Sequence, residues 1–241
     1  PIRRAYVNTS AASQRGPLMP ETTLIVIGGG GATHGTHPEL DRLCLSYACK
    51  QPRIGFIGIA SDDDLAQFRL FEAAIRPMAS AVTRLHPMAD ERTARHWAEG
   101  LDLVYLGGGD PVRLVARLIA TGIGAVLADA YRRGVPLAGV SAGAMCWFDS
   151  FLWRSPDAGL AVAPGLGLVS GSMTPHSLIE PERLIKMQDL VDSGAFFEAW
   201  AVDDGAALII QNGAASSWYP QEGTPRVHRF ARSEPRSVSG V

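Results

Sequence analysis

Residues 136–145 read Pro-Leu-Ala-Gly-Val-Ser-Ala-Gly-Ala-Met, and at their centre Gly139-Val140-Ser141-Ala142-Gly143 forms a G-x-S-x-G pentapeptide directly after a short apolar run. A serine in that pattern, on a strand-to-helix turn with small neighbours, can hold its hydroxyl out into a crevice as a nucleophile. The N-terminus of the following helix favours developing negative charge there, and the Ala142 N–H can donate to an oxyanion. The hydroxyl also needs a base to take its proton. Of the six histidines, His176 in Gly-Ser-Met-Thr-Pro-His-Ser lies between an extended segment and a helix, on a strand-end loop like that of Ser141. His228, near the end of the chain, is the rival, but no HGGG-type loop accompanies it as an α/β-hydrolase would require.

Strand ends must meet for such a pair to work, and the surrounding sequence supplies strands. Residues 23–31 (TLIVIGGGG), 53–61 (RIGFIGIAS), 101–109 (LDLVYLGGG) and 135–140 (VPLAGV) are short apolar runs, most of them closing on glycine or serine. Between them, Leu40, Leu43, Tyr47 and Ala48 fall at helical spacing, residues 64–79 read as helix, and Pro111 opens another. Strands apolar on both faces and separated by helices imply an α/β fold: a three-layer, doubly wound, mostly parallel sheet with helices on both faces. Ligands of such sheets bind beyond the carboxyl ends of the strands, where the glycine-rich segments gather.

Composition limits the functions. A chain of 241 residues, 46% hydrophobic and 19% charged, can bury one large core. Residues 22–230 are read as a single domain, residues 1–21 as an irregular extension with Met19 a candidate start, and residues 231–241 as a flexible tail. A net charge of −2 without a basic stripe argues against nucleic acid. No apolar run approaches the roughly 18 residues that would span a bilayer, so the expected location is the cytoplasm with no membrane partner. Three cysteines without C-x-x-C spacing predict neither disulfides nor a zinc site.

Two glycine clusters imitate nucleotide loops. Gly28–Gly31 follows a strand, but no frame completes G-x-G-x-x-G, and the segment Val104–Leu114 lacks the G-K-[ST] of a phosphate loop. No cofactor is expected. His34 and His37, with Asp41, are a weak metal motif and are placed on the rim of the crevice instead.

The order VYLGGGDPVRL, GVSAGAM, GLGLVSGSMTPHS and AVDDGAAL resembles the dipeptidase E and cyanophycinase family of serine peptidases, whose fold is related to class I glutamine amidotransferases; the resemblance covers about residues 23–213. It implies Ser141 as nucleophile and His176 as general base, with the N–H of Ala142 and of Gly108 or Gly109 as oxyanion hole. Asp157, between the serine and the histidine, matches the acidic member, with Asp149 the runner-up set aside because it is expected to lie on the helix after Ser141. Substrate contacts implied around the pocket are Asp110, His34, Glu180 and Arg183. Glu180 and Glu182 stand where cyanophycinase-like sequences are rich in arginine, leaving Arg183 as the one group to meet a substrate carboxylate, so preference for an N-terminal aspartate is not expected. The expected partner is a small peptide or amino-acid-derived substrate, cleaved at a peptide, dipeptide or isopeptide-like bond, and homo-oligomers remain open. The competing readings are an idle fold relative that binds a small metabolite, and an esterase or acyl-transferase using the same Ser-His pair.

Overall fold

The computed structural model describes residues 20–220 and 225–232. Nearly all of the expected N-terminal extension, Met19 included, and most of the expected tail lie outside the described residues. In chain order the elements are β1 (Thr23–Ile27), α1 (Pro38–Ser46), β2 (Arg53–Ile57), α2 (Leu65–Ile75), β3 (Ala81–Arg84), α3 (Glu91–Ala98), β4 (Leu103–Leu106), α4 (Pro111–Ala120), α5 (Ile123–Arg132), β5 (Leu137–Val140), α6 (Ala142–Met145), β6 (Phe148–Ser155), β7 (Gly159–Pro164), β8 (Val169–Pro175), α7 (Glu182–Asp192), β9 (Glu198–Val202), β10 (Ala207–Gln211), β11 (Ala214–Trp218) and β12 (Val227–Ala231).

The larger sheet has the order β11-β10-β1-β5-β4-β2-β3. From β1 to β3 every pairing is parallel, and β10 and β11 add antiparallel at the β1 edge. Side chains of a strand point alternately to opposite faces, and β1 divides accordingly. Leu24 and Val26 join one core with Leu114 and Leu118 of α4 and Val126 and Leu127 of α5. Ile25 and Ile27 join another with Leu40 and Leu43 of α1 and Phe71 and Ile75 of α2. Helices thus cover both faces, which is why the strands are apolar without a break. Truncating the wholly buried Ile25 to Ala would cost about 2–5 kcal/mol.

Three of the helices, α2, α3 and α4, start on aspartate caps. Asp64, Asp90 and Asp110 accept from the N–H of Ala66, Thr93 and Arg113 at 2.8, 2.8 and 3.0 Å, and Pro38 and Pro111 occupy first-turn positions where no N–H is needed.

A second sheet, not expected from the sequence, has the order β12-β9-β8-β6-β7. It is parallel from β6 through β8 to β9 and antiparallel at both margins. Phe148, Phe151, Met173, Trp200 and Val202 from it enter the same core as α4 and α5. The helix after Ser141 ends at Met145, so Asp149 lies on β6, not on a helix as expected. There its Oδ2 accepts from the Gly171 N–H at 2.9 Å. Among the described residues no single helix is long and apolar enough to cross a membrane.

Candidate active site

Ser141 links β5 to α6 with φ 53° and ψ −114°, a backbone conformation that non-glycine residues seldom adopt and that the surroundings must impose. They do so from both sides. The Ser141 N–H donates to the Ile27 carbonyl at 3.0 Å, and its carbonyl accepts from the N–H groups of Ala144 and Met145 at 3.0 and 2.9 Å. The two glycines of the pentapeptide make room for this turn. A Cβ on Gly139 would lie 2.1 Å from the Gly143 carbonyl oxygen, and one on Gly143 would lie 2.3 Å from that of Leu106. Gly108, in the loop just beyond β4, packs beside the nucleophile, where a Cβ would come within 3.3 Å of the Ser141 Cβ. Gly109 has φ 141°, and a Cβ there would lie 2.2 Å from the Ala60 carbonyl oxygen. The Gly108–Gly109 segment and the Ala142 end of α6 therefore flank Ser141.

His176 follows β8 and also has a left-handed backbone, φ 58°. Its Nε2 lies 2.9 Å from Ser141 Oγ, and its Nδ1 lies 2.7 Å from Asp204 Oδ1. An ionised carboxylate can only accept, so the proton sits on Nδ1 and Nε2 is left to accept from the hydroxyl. Burial pushes the Asp204 carboxyl up. The hydrogen bond and charge of His176, a backbone N–H and the nearby His34 together outweigh that and hold it below the ordinary carboxylate range. Asp204 is thus ionised at neutral pH.

Asp204 corrects the expectation for Asp157. Asp157 is exposed in the turn of the β6–β7 hairpin, where its N–H reaches the Ser155 hydroxyl at 3.4 Å. The Ser-Pro-Asp sequence serves there as a turn. Asp204 instead arrives from the exit of β9, 28 residues beyond His176. The available signal was its setting: an apolar run, Ala-Trp-Ala-Val, ends in Asp-Asp-Gly, as Ser141 and His176 also follow strands. The first glycine cluster acquires a purpose from the same contact. Gly29 forms a parallel bridge to Asp204, and a Cβ on Gly28 would lie 2.2 Å from the Asp203 carbonyl oxygen.

The implied substrate contacts separate. His34 is exposed on the loop after β1, its Nδ1 3.2 Å from the Gly30 carbonyl oxygen, and stays on the rim near Asp204. Asp110 is the N-cap of α4. Arg183 is only 3% exposed and is already engaged: its guanidinium donates to the Leu152 carbonyl (3.2 Å), Thr174 Oγ1 (2.9 Å) and Glu180 Oε1 (3.0 Å). It is not placed to meet a substrate. The glutamates are not uncompensated either, because Arg154 donates to Glu180 at 2.6 Å and also pairs with Glu182. Burial alone would raise the Glu180 carboxyl, but Arg183 and Arg154 hold it below its usual value. His228 lies on β12 with Nε2 3.5 Å from Asp203 Oδ1, behind the site. Among the described residues no cluster of His, Cys, Asp and Glu could hold a metal ion.

A serine on a strained strand-to-helix elbow, hydrogen-bonded to a histidine that is hydrogen-bonded to a carboxylate, has the geometry of a serine hydrolase. The sequence profile of Peptidase family S51 matches residues 24–218, and the chain belongs to that family, a serine-type peptidase with the α/β fold the sequence implied. It is 30% identical over 194 residues to the uncharacterized peptidase YgaJ of Bacillus subtilis (strain 168), covering 78% of this chain and 83% of that protein. In fold it is similar to a peptidase from an acI-B1 Actinobacterium (TM-score 0.65, 19% identity, 88% of this chain and 95% of that one). It is equally similar to a protein of Listeria monocytogenes EGD-e assigned to peptidase E (TM-score 0.65, 14% identity, 83% and 100%).

Proposed function

We propose that the protein hydrolyses peptide bonds of small peptides through an acyl-enzyme on Ser141, with His176 and Asp204 completing the triad. The observation that carries this reading is the continuous chain Ser141 Oγ, His176 Nε2, His176 Nδ1, Asp204 Oδ1, at 2.9 and 2.7 Å. Ser141 Oγ attacks the scissile carbonyl carbon while its proton passes to Nε2. The imidazolium that results is stabilised by the ionised Asp204, which also keeps the ring in the tautomer that makes Nε2 the base. The carbonyl oxygen becomes an oxyanion beside the Ala142 N–H and the Gly108–Gly109 segment, with the N-terminus of α6 behind it. Nε2 then gives its proton to the leaving amine and the C–N bond breaks. Water enters, His176 takes a proton from it, and the acyl-enzyme is hydrolysed with Ser141 restored. No step asks for a metal or an organic cofactor.

Incubation with a fluorophosphonate followed by peptide mapping tests the nucleophile, and turnover of matched dipeptide, isopeptide and ester libraries tests the bond. The expected results are one adduct, on Ser141, absent from Ser141→Ala, and hydrolysis of dipeptides. No adduct would favour an idle metabolite-binding relative. Turnover confined to esters would favour an esterase or acyl-transferase.

A further inference from the structure

Behind the His176–Asp204 contact lies a second one built from the adjacent residues. Ser177 Oγ donates to Asp203 Oδ1 at 2.6 Å, so residues 176–177 and 203–204 face each other as two rungs: His176 to Asp204 in front, Ser177 to Asp203 behind. The rear rung is the drier one, with Ser177 1% and Asp203 2% exposed. Asp203 is also tied to the approach of β12. Its Oδ2 accepts from the Arg226 N–H at 2.8 Å, its own N–H donates to the Arg226 carbonyl at 3.0 Å, and His228 Nε2 stands 3.5 Å from Oδ1. This strand lies beyond residues 24–218, the stretch matched by the family. Gly28 closes the other side, its Cα against the Asp203 carbonyl.

We propose that Ser177 and Asp203 are positioning residues that hold the catalytic imidazole on Ser141. The proposal rests on the reading of Ser141, His176 and Asp204 as the triad, and two features support it. His176 has a sparsely populated left-handed backbone, which persists only if its neighbours over-determine it. On its N-terminal side the chain is pinned by the β8–β9 ladder, which ends at Pro175↔Val202. On its C-terminal side Ser177 is pinned by Asp203, and Glu180 N–H closes a turn onto the His176 carbonyl at 2.9 Å. In addition, Asp203 and Asp204 share a peptide bond. Anchoring Asp203 to Ser177 and to the Arg226 backbone therefore fixes where the next carboxylate points. The Ser141–His176 hydrogen bond carries the proton, the His176–Asp204 one fixes the tautomer, and the Ser177–Asp203 one sets their geometry.

The test compares Ser177→Ala, Asp203→Asn and Asp204→Asn with the wild type in the full chain. Each is assayed for inactivation by a fluorophosphonate, separating the maximal rate from the half-saturating concentration, for thermal unfolding, and for the low-field proton signal of His176 Nδ1–H. Misplacing a catalytic group slows the chemical step without removing binding contacts, so the maximal rate should fall about 10–100-fold in Ser177→Ala and Asp203→Asn with half-saturation unchanged. The low-field signal should shift or broaden in both and be lost in Asp204→Asn. A maximal rate within about twofold of wild type in the folded variants, with that signal unmoved, overturns the proposal and leaves the triad standing. Unfolding of both outer-rung variants also counts against it, because the pair would then belong to the scaffold. Full reactivity of Asp204→Asn would instead overturn the triad, and the proposal with it.

Discussion

A Cβ on Gly29 would lie 1.8 Å from Asp204 Oδ1. The missing side chain at one residue is thus the space occupied by the carboxylate of the other, and His176 Nδ1 is 3.0 Å from the same point. Gly29→Ala should accordingly displace Asp204 more than it disturbs the fold, lowering turnover about 100-fold with little change in melting temperature. Gly28→Ala meets backbone oxygens instead, at 2.2 and 2.3 Å, and should destabilise by about 1–3 kcal/mol. Melting curves and activity for the two variants check this contrast; equal losses of stability would refute it.

Asp41 supplies a pH signature. It is 4% exposed, its Oδ1 accepts from the Ala32 N–H at 2.8 Å, and burial pushes its pKa from 3.8 to about 6. Between those values the folded state binds more protons than the unfolded one, so this group's contribution to stability falls as pH rises through that window. The full difference is about 2–3 kcal/mol. Asp41→Asn keeps the acceptor and cannot ionise, so its advantage over the wild type should grow from about pH 4 to pH 7. Denaturant unfolding of both proteins across that range measures the difference, and parallel curves would refute it.

Arg183 governs the expected specificity by being occupied. Its contacts with Leu152, Thr174 and Glu180 leave it inside the scaffold, and Arg183→Ala should cost stability, about 1–3 kcal/mol, by removing buried hydrogen bonds, while Glu180 keeps its partner Arg154. Asp-initiated dipeptides should then enjoy no large advantage: kcat/KM for Asp-, Ala- and Arg-initiated dipeptides should agree within about tenfold, or 1.4 kcal/mol. A stronger preference for Asp would mean that another cation commands the pocket.

Unbroken apolar runs made β1, β2, β4 and β5 legible, because both faces of those strands are buried under helices; β3, only partly buried at the sheet edge, offers no such run. The elbow was legible for a local reason too: Gly139 and Gly143 pack against backbone a few residues away or on the neighbouring strand, which forces a short, recognisable spacing. His176 stood out by its strand-end loop. Asp204 did not, since what joins it to the site is a bridge to Gly29 on the loop that follows the first strand, and no local pattern encodes a pairing that distant. The second sheet was obscured similarly. Its β6 buries Phe148, Phe151 and Leu152 while exposing Asp149 and Arg154, too irregular for a clean two-residue period, and the short α6 before it invited a longer helix. The charges around Glu180 misled because Arg154, on β6, reaches them only through that sheet.

The most direct measurement is the rate at which a fluorophosphonate modifies Ser141 in Asp204→Asn and in Asp157→Asn. Replacing the carboxylate on His176 Nδ1 favours the wrong tautomer, so Asp204→Asn should react about 10³–10⁴-fold more slowly than the wild type at neutral pH. Asp157→Asn, changed only in an exposed hairpin turn, should react at the wild-type rate. Slow modification of Asp157→Asn together with normal modification of Asp204→Asn would contradict the triad assigned here.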